Sequence, residues 1–276
     1  MRTIAALVFF GLVAATPTGR TPDPSIPPSA ATAAARLAAS PRHREDVMIA
    51  TPGGVADSVH AWVFYPEVSH KAPVIVVVQE IFGMTTWLRA VGDQLAADGF
   101  IAVVPDLLTG KVSAPADSAQ DAAIAATRTL DRVAVQRTLD AVAAYGMHLP
   151  SARPAYGVIG FCWGGGVSFE QAVHTTGSPL PLKAAVVYYG TPPDSLAEVR
   201  VPVLGMYGGS DARVTATVPG TDSAMRTLHK VYEPHTYPGA GHGFLRAQDG
   251  QAGANATAAA DAWPRTITWF RRYLGA

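Results

Sequence analysis

The stretch that most restricts how this chain can fold runs from Tyr156 to Gly166 and reads Y-G-V-I-G-F-C-W-G-G-G. Tyr156, Val158 and Ile159 have strand character, and Val167 to Val173 is an apolar segment of helical length. Between them lies Gly160-Phe161-Cys162-Trp163-Gly164-Gly165, the cysteine form of the G-x-S-x-G elbow. That elbow is a tight strand-to-helix turn that lifts a nucleophile above a sheet. The turn is strained and leaves no room for Cβ atoms beside the helix, which accounts for its glycines. The positive end of the following helix and its outward N–H groups favour a thiolate there. Cys162 is the only cysteine of the chain, so it has no intramolecular disulfide partner. The competing reading is a buried structural thiol beside a Gly-rich turn; the elbow spacing favours a nucleophile.

Around this turn the pattern is one of strands alternating with helices. Val74 to Val78 is an unbroken β-branched run, the mark of a strand buried on both faces. Further strands are expected at Phe100 to Val104, Ala184 to Tyr189, Val201 to Tyr207 and Lys230 to Tyr237. Helices are expected over Thr86 to Ala97, Ala119 to Tyr145, Thr221 to Leu228 and Asn255 to Tyr273. Asp46 to Thr51 and Ser58 to Tyr65 flank Pro52-Gly53-Gly54 and predict a hairpin at the sheet edge. The fold class is therefore α/β, a mostly parallel central sheet with helices on both faces.

Of the 276 residues 49% are apolar and 15% charged, which gives a compact core rather than disorder. Lys+Arg and Asp+Glu each number 21 with no basic block, so nucleic-acid binding has no electrostatic support. No metal-binding Cys/His spacing occurs; His43, His60, His70, His148, His174, His229 and His235 are scattered. Met1-Arg2, the apolar run Ile4 to Ala15 and the small residues Val13-Ala14-Ala15 read as a secretory signal over residues 1–15. An uncleaved N-terminal anchor is the alternative. The expectation is an exported, monomeric protein with no stable membrane span once the signal is removed. Residues 16–43 are rich in Pro, Ala, Thr and Ser and read as a linker with at most a short helix around Ala31 to Ala39. Residues 44–276 form the folded domain.

A thiol nucleophile needs a base, and the base needs an orienting group. In a sheet of this kind they follow the nucleophile in the order acid, then histidine. Gly208-Gly209-Ser210-Asp211 follows the strand ending at Tyr207, and Gly239-Ala240-Gly241-His242-Gly243-Phe244 follows the strand ending at Tyr237. Cys162, Asp211 and His242 thus stand in the required order, each after a predicted strand. Glu80 directly follows a wholly apolar strand, where a carboxylate is costly to bury without a partner; the competing reading is a partly solvated loop acid.

Gln79-Glu80-Ile81-Phe82-Gly83, Pro105-Asp106-Leu107, the Gly160 to Gly165 turn, the Asp211 loop and Gly239-Ala240-Gly241-His242 together resemble the dienelactone hydrolase family of α/β-hydrolases. The resemblance spans about Asp46 to Tyr273. It implies the α/β-hydrolase fold, hydrolysis of a small ester or lactone through an acyl-thioester, and no cofactor or metal. It implies Cys162 as nucleophile, His242 as general base and then acid, and Asp211 as its orienting group. Glu80 would contact the resting thiol and exchange position as substrate binds. The backbone N–H groups of Ile81 and Trp163 would form the oxyanion hole. Dienelactone-cleaving members hold the substrate carboxylate with arginines, and Arg246 matches one of them, against a competing reading as a solvent-facing loop arginine. Leu108-Thr109-Gly110-Lys111 stands in place of an aromatic–arginine pair, and Gly243 where a serine is common. Trp163, Phe82 and Trp87 favour a more apolar ester. Two rival classes remain. One is a catalytically silent ligand-binding relative, which the intact triad disfavours. The other is a thiol peptidase, for which no extended groove signal is visible.

Overall fold

The computed structural model of the chain describes residues 23–113, 115–173 and 181–275. The expected signal, the first part of the expected linker and His174 lie outside the described residues. The framework is set by β3 (Ala72–Val78), all seven residues of which are buried. Ile75 and Val77 pack into one core layer, and Val74, Val76 and Val78 into the other. A pleated strand with helices on both sides has this period of two. Each such side chain contributes about 1.5–3 kcal/mol on burial, so this strand ties both layers to the sheet.

The first described elements are helix α1 (Ala30–Ala38) and the antiparallel hairpin of β1 (Arg44–Ala50) and β2 (Ser58–Phe64). After β3 come α2 (Thr86–Ala97), β4 (Ile101–Pro105), α3 (Gln120–Arg128) and α4 (Arg132–His148). Next are β5 (Ala152–Phe161), α5 (Trp163–Gln171), β6 (Leu182–Tyr188) and β7 (Val203–Gly208). The last elements are α6 (Ala212–Thr215), α7 (Val218–Thr227), β8 (Tyr232–Tyr237) and α8 (Ala254–Leu274). The eight strands lie in the order β1-β2-β4-β3-β5-β6-β7-β8. β2 runs antiparallel to β1 and β4, and β3 to β8 are parallel to one another. This is the α/β-hydrolase fold. Helices α1, α2 and α8 bury their apolar residues on one face; α4, α5 and α7 cover the other. Because β3, β5, β7 and β8 are parallel, the loops carrying Glu80, Cys162, Asp211 and His242 all leave from one edge.

The helix predicted over Thr86 to Ala97 occupies those residues, started by the Thr85 hydroxyl, which accepts from the Leu88 N–H at 3.2 Å. The single long helix expected over Ala119 to Tyr145 is instead two, α3 and α4. The carboxylate of Asp131 accepts from the Ala134 N–H at 2.8 Å and starts a new helix where an Ala-rich period ran on unbroken.

The linker expectation is also revised. From Ile26 onward the segment lies on the domain: Ile26, Ala33 and Leu37 are buried in the same core layer as Trp87 and Leu88 of α2. A nine-residue helix is too short to persist alone in water, so this burial, not helix propensity, holds α1 in place. No described helix is long and apolar enough to cross a membrane.

Candidate active site

Cys162 sits between β5 and α5 with φ 57° and ψ −118°, a left-handed conformation that a residue with a Cβ adopts only at a cost. Closely packed backbone enforces it. A Cβ on Gly160 would overlap the carbonyl of Gly164, and one on Gly164 would overlap the carbonyl of Gln79. The result is a half-buried thiol faced by the backbone N–H groups of Trp163 and Ile81.

The two later loops are stitched to each other. Gly209 N–H donates to Tyr237 O at 2.8 Å, and Ser210 N–H to Ala240 O at 2.8 Å. This brings Asp211 Oδ2 to 2.5 Å from His242 Nδ1. The buried side chain of Asn255 on α8 fixes the histidine loop twice: Oδ1 accepts from Gly241 N–H at 2.8 Å, and Nδ2 donates to Ala247 O at 2.7 Å. Gly243, at φ 73°, then turns the chain so that Arg246 comes back over the site.

Glu80 is 3% exposed. Arg246 Nε lies 2.7 Å from Glu80 Oε2, yet neither atom makes an aligned hydrogen bond, so the contact is an ion pair held by charge and position. The Arg246 guanidinium also stands 5.0 Å from the centre of the Phe82 ring. Tyr189, buried and at φ 42°, sets its hydroxyl against the Glu80 carboxyl, again without full alignment. Its ring lies 5.0 Å from that of His242. Burial pushes the Glu80 carboxyl up to about 7, against the opposing pull of Arg246 and Tyr189. Burial also raises the Cys162 thiol above its ordinary value, and the Glu80 charge raises it further. The N–H groups of Trp163 and Ile81 and the charge of Arg213 oppose this without overcoming it. The helix-end effects that favour a thiolate in sequence are thus outweighed, and the resting sulfur keeps its proton.

The structure therefore places Glu80, Ile81 and Trp163 around the Cys162 sulfur, and pairs Asp211 with His242. Phe82 is half-buried beneath Arg246, which is turned inward rather than to solvent. Trp87 is not part of the site surface. It is 2% exposed, donates its indole N–H to Pro28 O at 3.1 Å, and packs edge-on against Phe161 at 5.1 Å. The N-terminal segment lies over it. Tyr189, Arg213 and Asn255 carry no motif; only their positions in the fold reveal them.

Residues 59–274 match the model of the dienelactone hydrolase family. The chain is 31% identical over 255 residues to a Salmonella typhimurium protein named "Putative carboxymethylenebutenolidase", covering 83% of this chain and 92% of that one. A Methylorubrum extorquens protein of the same name is 34% identical over 217 residues, 73% and 72% of the two chains. Among solved structures, a "Putative Dienelactone Hydrolase" from Klebsiella pneumoniae superposes with a TM-score of 0.70 at 27% identity. It covers 84% of this chain and all of its own. The metagenomic phosphotriesterase P91, at 20% identity and a TM-score of 0.68, shares the fold. The match takes in the whole parallel part of the sheet and all of its strand-end loops, so this chain belongs to the dienelactone hydrolase family and is a hydrolase of esters or lactones.

Proposed function

We propose that the chain cleaves a small ester or lactone through the thiol of Cys162, with His242 and Asp211 completing a nucleophilic triad. The observation that carries this reading is the pair of N–H groups, from the loops after β3 and β5, that converge on the Cys162 sulfur. A structural thiol needs no such donors; an oxyanion developing two bonds away from the sulfur does.

On this reading substrate displaces Glu80, and His242 takes the thiol proton while Asp211 holds its Nδ1. The sulfur forms a C–S bond with the carbonyl carbon, and the carbonyl electron pair moves onto oxygen, facing Ile81 and Trp163. Collapse of the tetrahedral intermediate breaks the C–O bond. His242 returns the proton to the departing alkoxide and leaves an acyl-thioester on Cys162. A water molecule, deprotonated by His242, then attacks the same carbon. The C–S bond breaks, the sulfur regains its proton, and a carboxylic acid leaves; from a lactone the single product is a hydroxy acid. Arg246, released from Glu80, is placed to meet a substrate carboxylate beside Phe82. Export by residues 1–15 belongs to the same reading.

Hydrolysis of a short p-nitrophenyl ester tests it. Cys162→Ala is expected to lose on the order of 10³-fold or more in turnover, and wild type quenched early to show an acyl adduct on Cys162 by mass spectrometry. Turnover that survives Cys162→Ala overturns the mechanism.

A further inference from the structure

The segment before β1 meets the loop after His242 at two points and helix α2 at a third. Gln248 Nε2 donates to Pro27 O at 2.8 Å, Trp87 Nε1 donates to Pro28 O at 3.1 Å, and Ala30 N–H donates to Arg246 O at 2.8 Å. We propose that residues 26–40 are a positioning strap for the active site, fixing the loop that bears Arg246 and thereby the seat of Glu80 against the thiol. The proposal rests on the reading of Cys162 and Glu80 given above. The family match begins at residue 59, so the strap lies outside it.

The groups the strap uses are ones its own conformation leaves unpaired. Extended Pro-rich backbone makes no internal hydrogen bonds, so the carbonyls of Pro27 and Pro28 are available. Ala30 is the first residue of α1, where the N–H has no partner within the helix. Ser29 makes no side-chain cap, and the Ala30 N–H goes to the Arg246 carbonyl instead. The far end of the strap is moored separately. Arg36 Nη2 donates to Gln94 Oε1 at 3.1 Å, Ser40 Oγ to Asp93 Oδ1 at 2.5 Å, and Arg42 to both Asp93 oxygens at 3.1 and 2.6 Å.

These contacts bear on the chemistry through two routes. Trp87, held by Pro28, supports Phe161, the residue immediately before the nucleophile. Arg246 is gripped by its carbonyl from the strap, while its guanidinium reaches Glu80. The Nε–Oε2 contact is short but out of line, so it fixes the guanidinium less firmly than an aligned hydrogen bond would. Where the guanidinium sits follows from where the Arg246 backbone is fixed. A loosened backbone lets Arg246 drift from Glu80, and the carboxyl then covers the sulfur less tightly.

One substitution isolates the contact. Ala30→Pro removes the N–H at the one helix position where proline is favoured. Ser29, at φ −66° and ψ 164°, already has the conformation that a residue before proline requires. Ala30→Ser keeps the N–H and serves as control. The readout is the iodoacetamide alkylation rate of Cys162 in the full chain without substrate, followed by mass spectrometry, with the thermal midpoint measured alongside. Ala30→Pro is expected to alkylate about 2- to 10-fold faster, the worth of one backbone hydrogen bond, and Ala30→Ser to match wild type. Gln248→Ala, which loses the bond to Pro27, should move the same way by less, and it keeps the test open if the proline variant folds poorly. A strap that only stabilises the fold would lower the midpoint and leave alkylation of both folded variants at the wild-type rate; that result overturns the proposal. Alkylation needs no turnover, so its failure leaves hydrolysis through Cys162 standing. Failure of that reading shows separately, as turnover surviving in Cys162→Ala.

Discussion

Two acid–base pairs stand at the strand ends around Cys162, and they are built on opposite plans. His242 and Asp211 meet through a hydrogen bond of 2.5 Å, with the histidine side chain 34% exposed. Arg246 and Glu80 are nearly as close, 2.7 Å, but out of line and with the carboxyl closed off from solvent. An aligned charged hydrogen bond contributes about 1.5–3 kcal/mol, which suits a pair that keeps its geometry through a whole cycle. A pair whose members must part is better held by confinement and charge, with no aligned bond to break. On the proposed mechanism the first pair moves a proton in place, and the second changes partners.

The comparison breaks most visibly at the histidine. His242→Ala should lower turnover on the order of 10³-fold or more, while Asp211→Asn leaves a small residual rate because the imidazole remains but loses its orientation. Steady-state kinetics on the same ester check this. Equal, mild losses in both variants would mean that the aligned pair is structural.

The next effect is on stability and falls on the buried pair. The Glu80 carboxyl rises from 4.5 to about 7 in the folded protein. Between those values the folded chain binds a proton that the unfolded chain has released, so stability falls as pH rises from about 4.5 to about 7 and stays low above it. Glu80→Gln removes this slope. The stability difference between wild type and Glu80→Gln, from urea unfolding at several pH values, should change by on the order of 3 kcal/mol across that window. A difference that does not vary with pH would show that Glu80 titrates at an ordinary value.

The smallest effect sharpens the contrast in alignment. Tyr189→Phe removes a buried hydroxyl that makes no aligned hydrogen bond, so it should shift stability by less than about 1 kcal/mol. Thermal unfolding decides. A loss of several degrees would mean that the hydroxyl carries a full bond to Glu80.

Much of this was legible beforehand, for local reasons. The elbow glycines, the all-apolar run of β3 and the Gly-flanked Asp211 and His242 are short-range patterns whose physics acts within a few residues. The rest depends on partners distant in sequence. The break between α3 and α4 turns on Asp131 as a cap inside an Ala-rich period that reads as one helix. Residues 26–40 have the composition of a linker, and only Ile26, Ala33 and Leu37 hint at a buried stripe. Trp87 looks like a pocket aromatic until Pro28 is placed over it. Asn255 and Tyr189 act through contacts with loops far along the chain, which no spacing rule encodes.

The strap joins positions 221 residues apart, Pro27 and Gln248. A ribosome emits the chain from the N-terminus at about 5–20 residues per second, so this clasp cannot close until Gln248 has emerged, ahead of α8. Until then the proline-rich stretch has only α2 to dock on, and Arg246, which lies against Glu80, has not been made. On the proposed strap, the thiol is brought under control only once the chain has been made past Gln248. A nascent chain that stops short of Arg246 has a leading end tied to α2 alone, a physical mark that sets it apart from a longer one.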